Sequence, residues 1–268
     1  MIIQKLDGTR FDVADYGLKR LFHRIPSADI SHSFSTVDGR SDILTETKIN
    51  NRTIEVEFLY MSYDIYDYYL LRDELNALFM RAEPFYIIFK REPYKRWLVK
   101  TAGQFEIPPH PNMQSFTVEF ITLNEYAESV ATTTTLKEWD VNKWGWNGSI
   151  DWEMDLRYSH SGNSFIIYNL GNETIDPRKH QLIITVKATS EYGVEIRNTT
   201  NNERYRYTGN LNETDNLILD GIRSTKNGLS VFRETNHGLI TLTPGPNQFL
   251  VSAQTLHDIT FDFRFLYK

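Results

Sequence analysis

Alternation of apolar and polar residues dominates the first half of the chain. The alternating segments are Ile30–Phe34, Thr53–Tyr60, Phe85–Phe89, Arg96–Thr101 and Phe116–Leu123. Pro, Gly and Asn residues cluster between them, most densely from Ile107 to Asn112. A period of two residues is typical of strands that bury one face. The pattern therefore predicts an antiparallel β domain.

One segment has a different period. From Asp64 to Arg81 the apolar residues recur at helical spacing, at Ile65, Tyr68, Tyr69, Leu71, Leu75, Leu78 and Phe79. Acidic residues fill the first turns and Arg81 falls in the last, as the helix dipole favours. Pro84 follows closely and predicts the end of the helix. We expect one amphipathic helix, residues 64–81, packed on a sheet.

A long polar stretch precedes the best-defined strand. It begins at the Asp38-Gly39 turn and continues to Asn50 without an obvious core face, before Thr53–Tyr60 alternates strictly. It is too long for a tight hairpin turn.

The second half contains only short strands separated by turns. We predict Phe165–Tyr168, Gln181–Lys187, Val194–Arg197, Arg204–Tyr207, Leu217–Leu219, Leu229–Phe232, Leu239–Thr243 and a last strand with Ile259, Phe261, Phe263 and Phe265 on one face. This pattern is typical of an antiparallel β-sandwich. The ATTTT stretch, Ala131–Thr135, marks a change in composition. We therefore expect a mainly β protein with two domains, residues 1–130 and 131–268.

Composition narrows the classes of function. The 268 residues are 40% hydrophobic, which provides a sizeable core, and the formal net charge is −6. No lysine- and arginine-rich face is evident, so specific nucleic-acid binding is not expected. No apolar run is long enough to span a membrane, and the first residues do not resemble a signal peptide. The chain has no cysteine, which excludes disulfides and thiolate chemistry.

Motifs for catalysis are lacking. The seven histidines show no metal-ligand spacing, and no phosphate-binding glycine loop or nucleophile elbow is present. We predict no catalytic, cofactor-binding or metal site. Carboxylates within strands, at Glu55, Glu57 and Glu119, leave a glycoside hydrolase open as an alternative. The same positions are where solvent-facing charges belong.

Four of the five tryptophans fall within fourteen residues, at Trp139, Trp144, Trp146 and Trp152. Aromatic faces beside amides and carboxylates are a common way to bind sugars. The alternative is that these indoles pack between the domains. The cluster is a candidate sugar-binding site.

Several stretches resemble the distal tail proteins (Dit) of siphophages that infect Gram-positive bacteria. In the first half these are Asp7-Gly8, Tyr16-Gly17, Val37 to Arg40, Asn51 to Phe58, Leu71 to Leu75, Pro84 to Ile87 and Trp97 to Val99. In the second half they are Tyr168 to Asn172, Ile175, Pro177 and Ile240 to Asn247. Their order and spacing carry the resemblance, which covers nearly the whole chain.

The resemblance implies a structural virion protein at the distal end of the tail. The N-terminal β-sandwich with its helix would form a homohexameric ring, and a galectin-like C-terminal sandwich would point outward. The implied partners are the major tail tube protein, the tape-measure protein, the tail-associated tip protein and receptor-binding or baseplate proteins. The ring would leave a channel for DNA.

This resemblance gives the polar stretch a role. Its main chain can pair with a sheet edge of the neighbouring subunit. We therefore interpret residues 35–50 as an inter-subunit arm, with a solvent loop as the alternative. The candidate arm residues are Asp38, Gly39, Arg40, Asp42, Leu44, Glu46, Lys48 and Asn50. A protein that binds host cell-wall glycan through its C-terminal sandwich is the second hypothesis.

Overall fold

The computed structural model describes residues 1–36, 41–109, 112–135, 140–144 and 154–268. The chain forms two compact units, Met1–Ala127 with Lys268, and Glu128–Tyr267. Both consist mainly of antiparallel strands, as the sequence predicts. Within the described ranges, no helix has the length and apolar character needed to cross a membrane.

The first unit is built on an antiparallel sheet. Its strands are β1 (Ile2–Gln4), β2 (Arg10–Asp12), β3 (Lys19–Arg24), β4 (Asp29–Ser35), β5 (Ile43–Asn50), β6 (Thr53–Ser62), β7 (Phe85–Ile88), β8 (Lys95–Thr101) and β9 (Asn112–Thr122). Seven of them follow the order β2-β1-β7-β8-β9-β6-β3, whereas β4 and β5 form a separate two-stranded sheet. The helix α1 (Ile65–Phe79) and a 3-10 turn (Val13–Tyr16) complete the unit.

The core of this unit lies between α1 and the sheet. On β6, the side chains of Ile54, Val56 and Phe58 are fully buried, as its alternation predicts. Phe79 of α1 packs on Phe58 with ring centroids 5.3 Å apart. The hydroxyl of Tyr68 donates a 2.8 Å hydrogen bond to the carbonyl of Ile107. The helix is thus fixed to the sheet by both apolar and polar contacts.

The helix begins one residue later and ends two residues earlier than predicted. Asp64 is its N-cap, with its carboxylate accepting hydrogen bonds from the N–H groups of Tyr66 and Asp67. Arg81 lies beyond the last turn but still donates to the carbonyl of Leu78, at 2.9 Å.

The second unit contains two facing sheets. Its strands are β10 (Ala127–Ser129), β11 (Ser159–His160), β12 (Ser164–Asn169), β13 (Leu182–Thr189), β14 (Val194–Asn198), β15 (Glu203–Tyr207), β16 (Leu217–Asp220), β17 (Arg223–Lys226), β18 (Leu229–Ser230), β19 (Gly245–Ser252), β20 (Thr255–Phe263) and β21 (Leu266–Tyr267). One sheet has the order β11-β20-β13-β16-β17-β18, the other β12-β19-β14-β15, and β10 pairs with β21. A short helix α2 (Val141–Trp144) and a 3-10 turn (Phe232–Glu234) are also present.

Aromatic rings join the two sheets. Phe261 of the six-stranded sheet lies 4.8 Å from Phe249 and 6.0 Å from Phe165 of the four-stranded sheet, between ring centroids. The apolar face predicted for the last strand, from Ile259 to Phe265, is fully buried. The unit is therefore an antiparallel β-sandwich.

The segment Leu239–Thr243 differs from its predicted strand. Ile240 and Leu242 are buried as in a strand, but its regular pairing is limited to one bridge, between Leu242 and Ile175. Side chains take the place of a neighbouring strand. Asn198 donates to the carbonyl of Thr241, at 2.9 Å, and Asn247 accepts from the N–H of Thr243, also at 2.9 Å.

Candidate assembly surface

The predicted arm is one half of a β-hairpin. β5 pairs with β4 from Asp29↔Asn50 to Ser35↔Ile43. This corrects the expectation of an arm with free main chain, because one edge of β5 is already occupied by β4. The pair lies outside the main sheet of the first unit, and the outer edges of both strands remain available among the described residues.

The hairpin is amphipathic. The pairs Ile30↔Ile49, His32↔Thr47 and Phe34↔Leu44 share one face, because directly opposite residues point the same way. The other face carries the polar pairs Asp29↔Asn50, Ser31↔Lys48 and Ser33↔Glu46, and ends with Ser35↔Ile43.

The apolar face is uncovered. Ile30 is 53% exposed, Phe34 62% and Leu44 52%. A lone two-stranded hairpin is marginally stable in water and normally needs an apolar face packed on something else. An exposed apolar surface on a structured ribbon is therefore typical of a site that another molecule covers.

A bulge creates this face. Ser33 pairs with Glu46 and Phe34 with Leu44, so Thr45 is the extra residue. The hydroxyl of Thr45 donates a 2.9 Å hydrogen bond to the carbonyl of Ser33. The extra residue brings Leu44 to the same side as Ile49, which strict alternation would place on the opposite side.

Arg52 anchors the base of the hairpin. Its guanidinium donates to the carbonyls of Glu125, at 2.9 Å, and Pro26, at 3.4 Å, and lies 4.9 Å from the ring centroid of Trp97. Burial lowers the pKa of this guanidinium from its ordinary value. Pro26 precedes β4 and Arg52 follows β5, so a single side chain ties the hairpin to the sheet.

The sheet edge at β3 adds a second candidate contact. Leu21 and Phe22 on this edge strand are exposed, and a bulge separates Arg20 from Phe22. No strand covers the outer side of β3 within the part of the chain that the structure describes. Such an edge can accept a strand from another molecule.

The structure distributes the candidate arm residues over several places. Leu44 lies on the apolar face, whereas Glu46, Lys48 and Asn50 lie on the polar face. Asp42 accepts a 2.9 Å hydrogen bond from the hydroxyl of Thr36. Asp38, Gly39 and Arg40 fall outside the described residues.

Except for Ser35, the residues of β4 were absent from the arm predicted from the sequence, and so was the anchor at Arg52. The alternation of Ile30, His32 and Phe34 with serines was the signal for β4, but it gave no indication of the pairing partner. Arg52 stood within a recognised motif, and nothing in the motif showed that its side chain is buried.

The structure describes only part of the other candidate sites. The predicted sugar-binding side chains of Trp139, Trp144, Trp146 and Trp152 lie outside the described residues. Glu55 and Glu119 are directly opposite on the outer face of the sheet, and Glu55 forms a 3.6 Å ion pair with exposed Arg24. Across the described ranges, no group of three or more His, Asp or Glu could hold a metal ion.

Comparison with known proteins identifies the first unit. Residues 11–122 match the family model described as the phage tail protein RIFT-related domain. This range includes the hairpin, its Arg52 anchor and α1. The first unit is therefore similar to this phage tail domain over most of its length.

A solved structure extends the likeness to the whole chain. The crystal structure of the Dit protein of phage SPP1, described as a paradigm of the hub adsorption apparatus in phages that infect Gram-positive bacteria, is similar with a TM-score of 0.68. The match covers 99% of both chains at 16% identity. The chain thus shares the fold of that Dit protein over 99% of its length, as the sequence resemblance implied.

Other comparisons are weaker. Structures of the phage p2 baseplate in its activated conformation with Sr or Ca match with a TM-score of 0.44 and 10% identity, over 98% of this chain and 96% of that chain. No curated protein matches this sequence.

Proposed function

We propose that this protein is a non-enzymatic structural hub at the distal end of a phage tail. Six copies close into a ring that joins the tail tube to the tail-tip proteins and leaves a channel for DNA. The observation that carries the proposal is the uncovered apolar face of the β4–β5 hairpin, on a unit that matches a phage tail domain. The number six comes from the family resemblance.

The hairpin suits a contact between copies. In a ring, each subunit offers one surface and receives its neighbour on a different one. The hairpin is the offered surface, since it stands apart from the main sheet. The exposed edge at β3 is one place where the next copy can receive it.

The remaining roles rest on the same resemblance. The partners proposed are the major tail tube protein, the tape-measure protein, the tail-associated tip protein and receptor-binding or baseplate proteins. A formal net charge of −6 suits a channel that DNA crosses without adsorbing, because phosphate contacts dominate affinity for DNA.

The first test is the solution mass of the full chain, measured by light scattering with negative-stain images of the same fraction. We expect particles of six times the 31.4 kDa chain, with an open centre. Phe34→Ser with Leu44→Ser removes about 2 kcal/mol of apolar burial per side chain at each contact, so smaller species should dominate. Both residues are exposed in the free chain, so the fold should persist.

Ser31→Ala with Lys48→Ala is the matched control, because this pair lies on the polar face of the same hairpin. The control should retain the ring. A wild-type chain that remains monomeric at high concentration, or a control that dissociates as readily as the apolar variant, contradicts the proposed contact.

Binding of cell-wall glycan through the second unit is the second candidate function. The four clustered tryptophans favour it. A glycan array with the wild-type chain, repeated with Trp146→Ala and Trp152→Ala, tests it. Loss of a glycan signal in these variants would support it.

A further inference from the structure

We propose that the outer face of the four-stranded sheet binds a phosphodiester polymer with short polyol linkers, through Arg197, Arg204 and Arg206. On β14 and β15, Ile196 and Tyr205 point into the sandwich and are buried. The three arginines alternate with such buried positions and are exposed. They therefore share the outer face of the sheet.

Two of these arginines are directly opposite each other. The register of β14 and β15 pairs Arg197 with Arg204, and Arg206 with Glu195. Like charges directly opposite on neighbouring strands are destabilising. In the described chain none of the three arginines has a carboxylate within ion-pair distance. The three arginines outnumber Glu195, the carboxylate on the same face, on a protein whose formal net charge is −6.

Protection of the sheet edge does not account for this arrangement. β15 is an edge strand, and charged residues on an edge discourage pairing with another chain. Arg197, however, lies on β14, which is covered by β15 on one side and β19 on the other. Glutamate opposite Arg197 would protect the edge equally well without the repulsion.

Phosphate groups fit these side chains. A guanidinium presents two parallel N–H groups to phosphate oxygens. Arg204 and Arg206 are two residues apart on one strand, about 7 Å along it, and Arg197 is about 5 Å across from Arg204. A flexible chain can therefore place successive phosphates on the three side chains. One guanidinium is already oriented, since Arg197 donates a 2.6 Å hydrogen bond to the side-chain oxygen of Asn202.

The neighbouring residues suit a polyol linker. Leu250 is opposite Arg197 on the other side and is exposed, which gives the linker carbons an apolar contact. Beyond it, Ser164 is opposite Leu250 and receives a 3.0 Å hydrogen bond from the amide of Gln248. These hydroxyl and amide groups can bind linker hydroxyls. A stiff DNA duplex would place fewer phosphates on so short a patch, and a polymer of flexible units is the better fit.

Poly(glycerol phosphate) is the probe for the test, with the full chain and measured by isothermal titration or biolayer interferometry. We expect binding that weakens about 20-fold from roughly 50 to 200 mM salt, as three phosphate contacts predict. Arg204→Gln with Arg206→Gln should weaken binding at least about 10-fold by the same counterion argument. Its thermal unfolding should be unimpaired, because the repulsion at Arg197 is relieved.

Lys179→Gln with Lys187→Gln is the matched control. Both lysines are exposed, Lys179 in the turn before β13 and Lys187 on the outer face of the six-stranded sheet. This variant loses the same charge and should bind within about twofold of wild type. Three further ligands separate the contributions to binding. Dextran has hydroxyl groups without charge, and polyglutamate has negative charge without phosphate. A short DNA duplex has phosphodiesters on a stiff backbone.

The proposal is overturned if the wild-type chain does not bind poly(glycerol phosphate), or if the two double variants lose affinity equally. Binding of polyglutamate or duplex DNA as tightly as poly(glycerol phosphate) also overturns it. Arg204→Glu provides an independent check, because it should bind most weakly while unfolding at a higher temperature than wild type.

Discussion

Buried asparagines replace strand pairing around the segment Leu239–Thr243. Asn247 accepts from the N–H of Thr243 and donates to the carbonyls of Thr243, at 2.7 Å, and Gly245, at 3.1 Å. Asn169 donates to the carbonyl of Leu242, at 3.1 Å. The sequence predicted a strand here because Ile240 and Leu242 alternate with threonines, and alternation does not reveal which groups satisfy the backbone.

Asn247→Ala should destabilise the second unit strongly. The substitution removes the partner of the part-buried N–H and carbonyl of Thr243 and of the carbonyl of Gly245, which costs about 1–3 kcal/mol for each group. We expect a loss of about 3 kcal/mol in the free energy of unfolding, measured with urea. Asn210→Ala, at an exposed position, is the control and should change it by less than about 0.5 kcal/mol. Equal effects of the two substitutions would contradict this role.

Asp215 should make the stability depend on pH in the acidic range. The backbone N–H of Asn212, the Lys226 ammonium and the Asn227 amide lower the pKa of Asp215 from 3.8 to about 2. The unfolded chain therefore takes up this proton more readily than the folded chain. The stabilisation is complete above the unfolded pKa of about 4 and is lost as the pH falls through about 2.

Thermal unfolding between pH 5 and pH 2 checks this expectation. Asp215→Asn removes the titrating group but keeps a side chain of the same shape. The wild-type melting temperature should fall more steeply with decreasing pH than that of the variant. Parallel curves would show that Asp215 does not contribute to the acid sensitivity.

The elements differ in how far the sequence predicts them. The helix and β6 followed from periodicity alone, with errors of one or two residues at their ends. The hairpin did not, because Thr45 interrupts the alternation and makes Leu44 and Ile49 look as if they lie on opposite faces. The candidate arm residues were therefore chosen by their polarity. In the structure, the feature that marks the hairpin as a binding surface is instead its exposed apolar face, with Ile30, Phe34 and Leu44.

The sequence also did not predict which strands pair with each other or in which register. The strands that became β14 and β15 were predicted individually, but the opposition of Arg197 and Arg204 depends on the register set by their connection. Arg52 shows the same limit for a single side chain, since an arginine beside a strand is more commonly solvated. The opposition of the two arginines and the burial of Arg52 both depend on contacts between residues that are distant in the sequence.

At the scale of the whole molecule, the residues after Glu128 complete the second unit. The N–H of Thr133 donates to the carbonyl of Phe263, at 3.0 Å, and its hydroxyl donates to the carbonyl of Phe261, at 2.7 Å. Ser129 exchanges backbone and side-chain hydrogen bonds with Phe265. The second compact unit begins three residues before the predicted domain start at Ala131.

A fragment of residues 128–267 should fold alone and should be more stable than one of residues 136–267. The shorter fragment loses the contacts of Ser129 and Thr133, with an expected cost of about 2–4 kcal/mol. Thermal unfolding followed by circular dichroism measures the difference. Thr134→Ala in the longer fragment is the control, because its hydroxyl contacts only the side chains of Asp262 and Thr132 and no backbone group of β20. Identical melting temperatures of the two fragments would contradict the contribution of this segment.

The pairing of β10 with β21 brings the entry and the exit of the second unit side by side. A module with adjacent ends can be exchanged for another without altering the path of the chain that carries it. The adjacent ends therefore allow the whole sandwich domain to be replaced by another domain. Recombination at these two ends would replace the whole sandwich while the first unit is inherited unchanged.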